Sequence, residues 1–279
     1  MEYFERRIIE SFSDKLEAGI AVPSFPQFRD MSNMFLSMMD GVEKVGGGYV
    51  EIAPLSFQRE KSIVPEVAAI RKNSQDFYEK LGHSFEVRVC VTGPFTLASQ
   101  FLYKDKNIFT RIGTALSQIV ESNIFNNKHG SVRVVALDEP VFGLIDDPLM
   151  DRGSEARDNL RKAWKLILEK ASSRNVQTCL HIHRTRDELF WEIEPLDIIE
   201  THIKDPIYET KRTKKLLEST DKFLNASMTA TDFDQLIRDY LIATSQQEMS
   251  ETAINEKIGM IWKDINEGKV KPEIFLEST

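Results

Sequence analysis

Apolar, strand-like runs alternate with amphipathic helical stretches along nearly the whole of this 279-residue chain. That alternation narrows the possible folds more than any other feature. Eight such runs occur, at 20–24, 48–53, 86–92, 132–138, 176–183, 196–202, 222–228 and 273–278. Most are continuously apolar, as parallel strands covered on both faces must be. Residues 29–44 carry Met31, Met34, Phe35, Met38 and Met39 at helical spacing, a core-facing stripe. Residues 155–172 place Leu160, Ala163, Trp164, Ile167 and Leu168 on one face, and 109–126 and 232–244 are also amphipathic. Eight β/α alternations in this length point to a single (β/α)8, or TIM, barrel. No Pro/Gly/Ser-rich tract divides the chain, so 1–279 reads as one domain. An open doubly wound sheet is the alternative, but it would carry a glycine-rich phosphate turn after its first strand. The one dense glycine run, Gly46, Gly47 and Gly48, precedes a strand instead and reads as a helix C-cap and turn. The eighth strand ends the chain. Either an additional N-terminal helix over 3–18 stands in for the last helix of the barrel, or the chain is cut short.

Composition excludes several classes. The net charge of −8 argues against a nucleic-acid binder, which needs a basic face. No apolar run is long enough to span a bilayer, and the N-terminus has no apolar signal core, so a cytoplasmic protein is expected. Cys90 and Cys179 stand in separate apolar runs and read as reduced, buried thiols. The basic run Lys211–Lys215 reads as a solvated helix face.

Three of the five histidines fall in one window. His181 and His183 lie two apart in one strand-like run, and Glu200 and His202 two apart in the next. Residues i and i+2 of a strand share a face. The four side chains can therefore aim nitrogen and oxygen ligands into one space, as a zinc site with an open position requires. In a (β/α)8 barrel the site lies at the C-terminal strand ends. There the chain carries Val22, Pro23 and Ser24, then Glu51, then Thr92-Gly93-Pro94, then Asp138-Glu139-Pro140. A strand-end carboxylate at Asp138 suits an ammonium group. Thr92-Gly93-Pro94 is a tight turn that a ligand can approach closely. Ser24 is placed to cap a helix starting near Pro26 and to offer backbone N–H groups to a carboxylate.

Taken in order, Ser24-Phe25-Pro26-Gln27, Thr92-Gly93-Pro94 and Asp138-Glu139-Pro140 resemble the catalytic domain of cobalamin-independent methionine synthases and their compact archaeal relatives. These belong to a superfamily that includes uroporphyrinogen decarboxylase. The resemblance runs over nearly the whole chain; the first and last motifs are the specific ones. It implies a methyltransferase of methionine biosynthesis that binds zinc, activates the thiol of homocysteine and methylates it. The donor would be a folate or, in the compact relatives, a methyl-corrinoid carried by a partner protein. It further implies that Asp138 grips the substrate amine, with Glu139 beside it in the catalytic motif. Residues 22–24 hold the carboxylate, and Glu51 is the candidate for a second amine ligand. His181, His183, Glu200 and His202 are the metal set. One departure is plain: the family's fifth strand reads His-x-Cys, where this chain has His181-Ile182-His183, and its final cysteine ligand would lie beyond Thr279. Two other readings stand beside this one. One is a uroporphyrinogen decarboxylase-like enzyme, served by Arg29, Arg59, Arg184 and Arg186. The other is a non-catalytic barrel that binds an amino acid.

Overall fold

Valine-rich runs dominate the centre of the chain, and they form a parallel sheet. The computed structural model describes residues 2–57, 61–203, 205–227, 232–245 and 249–275. The sheet strands are β3 (Phe85–Thr92), β4 (Gly130–Glu139), β5 (Gln177–Ile182), β6 (Ile198–Thr201) and β7 (Phe223–Ala226), in that spatial order. All four pairings are parallel and rise in chain order without a reversal. A doubly wound sheet would reverse at a switch point. The helices are α1 (Glu2–Glu17), α2 (Met31–Leu36), α3 (Pro65–Lys72), α4 (Ser74–Leu81), α5 (Pro94–Ala98), α6 (Ile108–Asn123), α7 (Glu155–Ser172), α8 (Lys211–Thr220), α9 (Phe233–Thr244) and α10 (Glu251–Asn266). The result is a mixed α/β fold in which α5, α6 and α7 pack on β3–β5. No helix among the described residues is long and apolar enough to cross a membrane.

Two compact units divide the chain, Met1–Ser227 and Met228–Thr279. In the first, Phe12 of α1 meets Phe77 and Phe85 edge-on with ring centroids 5.3 and 5.6 Å away. Trp164, Ile167 and Leu168 of α7 are fully buried, as their spacing requires. Ser154 caps α7 by accepting from the Arg157 N–H at 3.1 Å. Ser154→Ala is expected to destabilise the first unit by about 1–2 kcal/mol, read as a lower urea midpoint at an unchanged slope. The second unit closes a small core of Ile237, Ile254, Ile258 and Phe275 between α9 and α10.

Five expectations from the sequence do not survive. The stretch 29–44 is helical only over α2; residues Asp40–Val45 form strand β1, which pairs antiparallel with β2 (Gly48–Ser56). Gly41, at φ +86°, sits where a Cβ would lie 2.6 Å from the Ala53 carbonyl oxygen, so a helical turn cannot continue there. Gly46 and Gly47 are therefore a two-residue hairpin turn between Val45 and Gly48, not a helix cap. The first expected strand, 20–24, is reduced to a bridge in which Ser24 pairs with Arg88 of β3. Ser24 caps no helix; α2 begins later and is capped by Asp30, whose carboxylate accepts from Asn33 N at 2.7 Å. In place of an eighth strand, residues Pro272–Phe275 form a 3-10 turn, and 276–278 lie outside the described residues.

Candidate metal centre

Parallel pairing aligns one row of side chains across the sheet. Thr92, Asp138, His181, Glu200 and Asn225 are successive register partners on β3 to β7. His183 follows the end of β5 and His202 the end of β6. From there both imidazoles turn back toward His181. Ring centroids lie 4.3 Å apart for His183 and His202, and 5.3 and 6.0 Å from His181. One ligand nitrogen from each of the three lies within 4.8 Å of the others. Tetrahedral zinc needs its nitrogens about 3.4 Å apart, so small ring rotations bring the set to bonding distance. Burial and the two neighbouring imidazoles push His183 down to about 4. It is therefore neutral near pH 7, the form that binds a metal.

Asp138 lies beside this cluster. Its Oδ1 is 3.4 Å from His181 Nδ1 and 3.9 Å from an Arg88 nitrogen. That oxygen is buried and has no hydrogen-bond partner. A buried carboxylate oxygen left without a hydrogen bond is costly. The three ligand nitrogens fit a divalent metal.

Glu139, the next residue on β4, points to the opposite face, as strand alternation demands. It is completely buried and accepts four hydrogen bonds: Phe95 N (2.9 Å), Thr96 N (2.7 Å), Thr96 Oγ1 (2.7 Å) and Trp164 Nε1 (2.8 Å). Burial pushes its carboxyl up to about 7, although these donors pull the other way. An added Cβ at Gly93 would lie 2.6 Å from Glu139 Cγ and closer still to its carboxyl carbon. Gly93 N also donates to the Asp138 carbonyl at 2.8 Å. Thr92-Gly93-Pro94 and Asp138-Glu139-Pro140 are thus one interlocked feature. Glu139 thereby ties α5 and α7 to β4.

The other expected site residues are spread more widely. Arg88 N donates to Pro23 O at 2.9 Å and Phe25 N to Arg88 O at 3.2 Å, so residues 23–25 run beside β3. Val22 and Arg88 line a cavity of about 410 Å³ with Cys179, Ile198, Phe223 and Asn225. Thr92 is buried and its hydroxyl donates to Met31 O at 2.8 Å. Glu51 stands on the separate β1–β2 hairpin and pairs with Arg111 of α6 at 2.7 Å. Glu200 is adjacent to His181 in register, but its carboxylate pairs with Arg88 and is not among the three converging ligands. Burial drives Glu200 up and Arg88 drives it down, with a net position below the usual carboxylate range. Both cysteines are buried, with Cys90 pushed up to about 12 by burial and Cys179 well above its usual value for the same reason. Neither is a thiolate at neutral pH. Of the arginines considered for a decarboxylase, Arg29 is committed to fully buried Glu66 through bonds of 2.7 and 2.6 Å. Arg184 and Arg186 are exposed, and Arg59 lies outside the described residues.

The chain is similar to a B12-independent methionine synthase from Shewanella sp. W3-18-1, solved in complex with selenomethionine. Identity is 15%, the match covers 94% of this chain and 88% of that one, and the TM-score is 0.55. The likeness is one of fold. A 3-keto-D-glucoside 4-epimerase from E. coli matches at 11% identity over 70% of this chain and 84% of its own, with a TM-score of 0.35, below the level at which a shared fold follows. No family model matches the sequence, and no curated protein matches it.

Proposed function

We propose that this protein is a methionine synthase-like, zinc-dependent methyltransferase acting on the thiol of a small amino acid, with homocysteine as the first candidate. The observation that carries this reading is the convergence of three imidazoles within 4.8 Å beside the unpaired oxygen of Asp138. Support comes from the fold shared with a methionine synthase solved in complex with selenomethionine, the selenium analogue of methionine. On this reading the sheet belongs to a (β/α)8 barrel, whose active sites lie at the C-terminal strand ends where these residues stand.

His181, His183 and His202 would hold the zinc ion and leave a fourth position for a thiol. When bound, zinc supplies a Lewis acid that makes a thiol ionise near neutral pH, and a thiolate is the attacking form. Asp138 accepts from the substrate ammonium and fixes the distance between amine and sulfur. Residues 23–25 run beside β3 at the edge of the same sheet, with Ser24 level with Arg88. Strands β4 and β5 carry Asp138 and His181 side by side in register, which is what positional accuracy in a site requires.

Elemental analysis after zinc loading and desalting tests the reading. Wild-type protein is expected to retain about one zinc per chain, and His183→Ala to lose about tenfold or more in affinity. Methyl transfer is then read with homocysteine against labelled methylcobalamin and methyl-folate in parallel. A wild-type protein that retains no metal would end the proposal.

A further inference from the structure

Strand alternation and the family resemblance both make Glu200 a metal ligand, yet its carboxylate is committed elsewhere. Oε2 accepts from Arg88 Nη1 and from Asn225 Nδ2 at 2.8 Å, and Cys179 Sγ lies 3.6 Å from the same oxygen. Asn225 is the register partner of Glu200 on β7, so this hold comes from the sheet itself. Arg88 is largely buried in the middle of β3, and its Nε has no partner. A guanidinium does not discharge on burial. The acids facing Arg88 are Glu200, in direct contact, and Asp138, 3.9 Å away. Moving Glu200 onto a metal would leave Arg88 with only that distant partner, and a buried charge without its counter-ion is strongly disfavoured.

We propose that the ion is held by His181, His183 and His202 alone, and that Arg88 is a positioning residue that keeps Glu200 out of the ligand set. This rests on the zinc reading above and deepens it. Three neutral imidazoles leave the full charge of the cation and an open fourth position. Glu200 stays paired with Arg88 and does not occupy the place a thiol would take. Arg88 is the residue that makes an imidazole-only site out of strands that also carry a carboxylate.

Cobalt loading and zinc competition against a chromophoric chelator test this on the full chain. Glu200→Gln keeps the Arg88 contact through its amide oxygen. It is expected to change zinc affinity by less than the roughly tenfold typical of losing a ligand's supporting partner, whereas His183→Ala exceeds that. Arg88→Met frees Glu200, so the visible cobalt bands shift and zinc affinity rises. The double variant Arg88→Met, Glu200→Gln returns the wild-type spectrum. A structural role for Arg88 alone would not move the cobalt bands. If Glu200→Gln loses metal as severely as His183→Ala, the ligand assignment is wrong, and if Arg88→Met folds and leaves the spectrum unchanged, Arg88 does not keep Glu200 out; in both cases the metal reading stands. If wild-type protein binds neither metal, the metal reading falls and takes this inference with it.

Discussion

Glu139→Ala is expected to lower the stability of the first unit by about 3–5 kcal/mol. Four buried donors lose their acceptor at once: two backbone N–H groups at the start of α5, the Thr96 hydroxyl and the Trp164 indole. Each orphaned donor costs about 1–3 kcal/mol, and water entering the vacated space recovers part of that. Gly93→Ala attacks the same lock from the other side, because its methyl group would sit on the Glu139 side chain. Overpacking of this kind costs about 1–3 kcal/mol or more. The two changes share one space. The double variant should therefore be less destabilised than the sum of the singles by about 1 kcal/mol or more. Urea unfolding followed by circular dichroism checks this, and strict additivity would show that the two motifs are independent. The pH dependence has a definite sign. The Glu139 carboxyl is raised from its ordinary 4.5 to about 7 in the fold. The folded protein thus holds a proton that the unfolded chain releases between those values. The stability this group contributes is complete below pH 4.5 and is lost as pH rises through 7. The advantage of wild type over Glu139→Ala should shrink across that window by about 2–3 kcal/mol.

Asp138→Asn is expected to weaken homocysteine binding to the zinc-loaded protein by about 100-fold, the worth of a charge-assisted bond to a buried carboxylate. The informative comparison is with 4-mercaptobutyrate, which has the thiol and carboxylate but no ammonium group. Wild type should prefer homocysteine strongly, and the variant should bind the two nearly alike. Calorimetry on both ligands checks this. If both weaken equally, Asp138 acts through His181, whose Nδ1 lies 3.4 Å away, and not through the substrate amine.

Much of this arrangement was legible in the sequence because it depends on periodicity. Helix α7 falls at 155–172 as read, and α6, β3, β4 and β5 fall within a few residues of their expected bounds. The pairing of His181 with His183 across one strand face follows from a period of two, and the structure brings their rings together. Misreadings arose where two periods fit the same residues. The methionine stripe at 31–39 has helical spacing, but the chain turns at Gly41, and the Gly46-Gly47 pair is the hairpin signal. Strand 48–53 was found, yet nothing local says that it pairs backward with 40–45 and not within the parallel sheet. Arg88 was missed altogether. A charged residue inside the apolar run Val87 to Val91 was the available signal, since burial demands a counter-ion, but which acid answers it is a matter of tertiary pairing.

Asp138 and Glu139 are consecutive acids facing opposite sides of one strand, and this guards against misalignment. A one-residue slip of β4 would turn the longer acid toward the histidines and leave the shorter one to reach for Trp164 and α5. A side chain one methylene short cannot span four donors set for glutamate, so the slipped alignment would lose most of those bonds. The accuracy with which Asp138 meets His181 is thus enforced from the far side of the sheet, by a residue that never needs to touch a ligand.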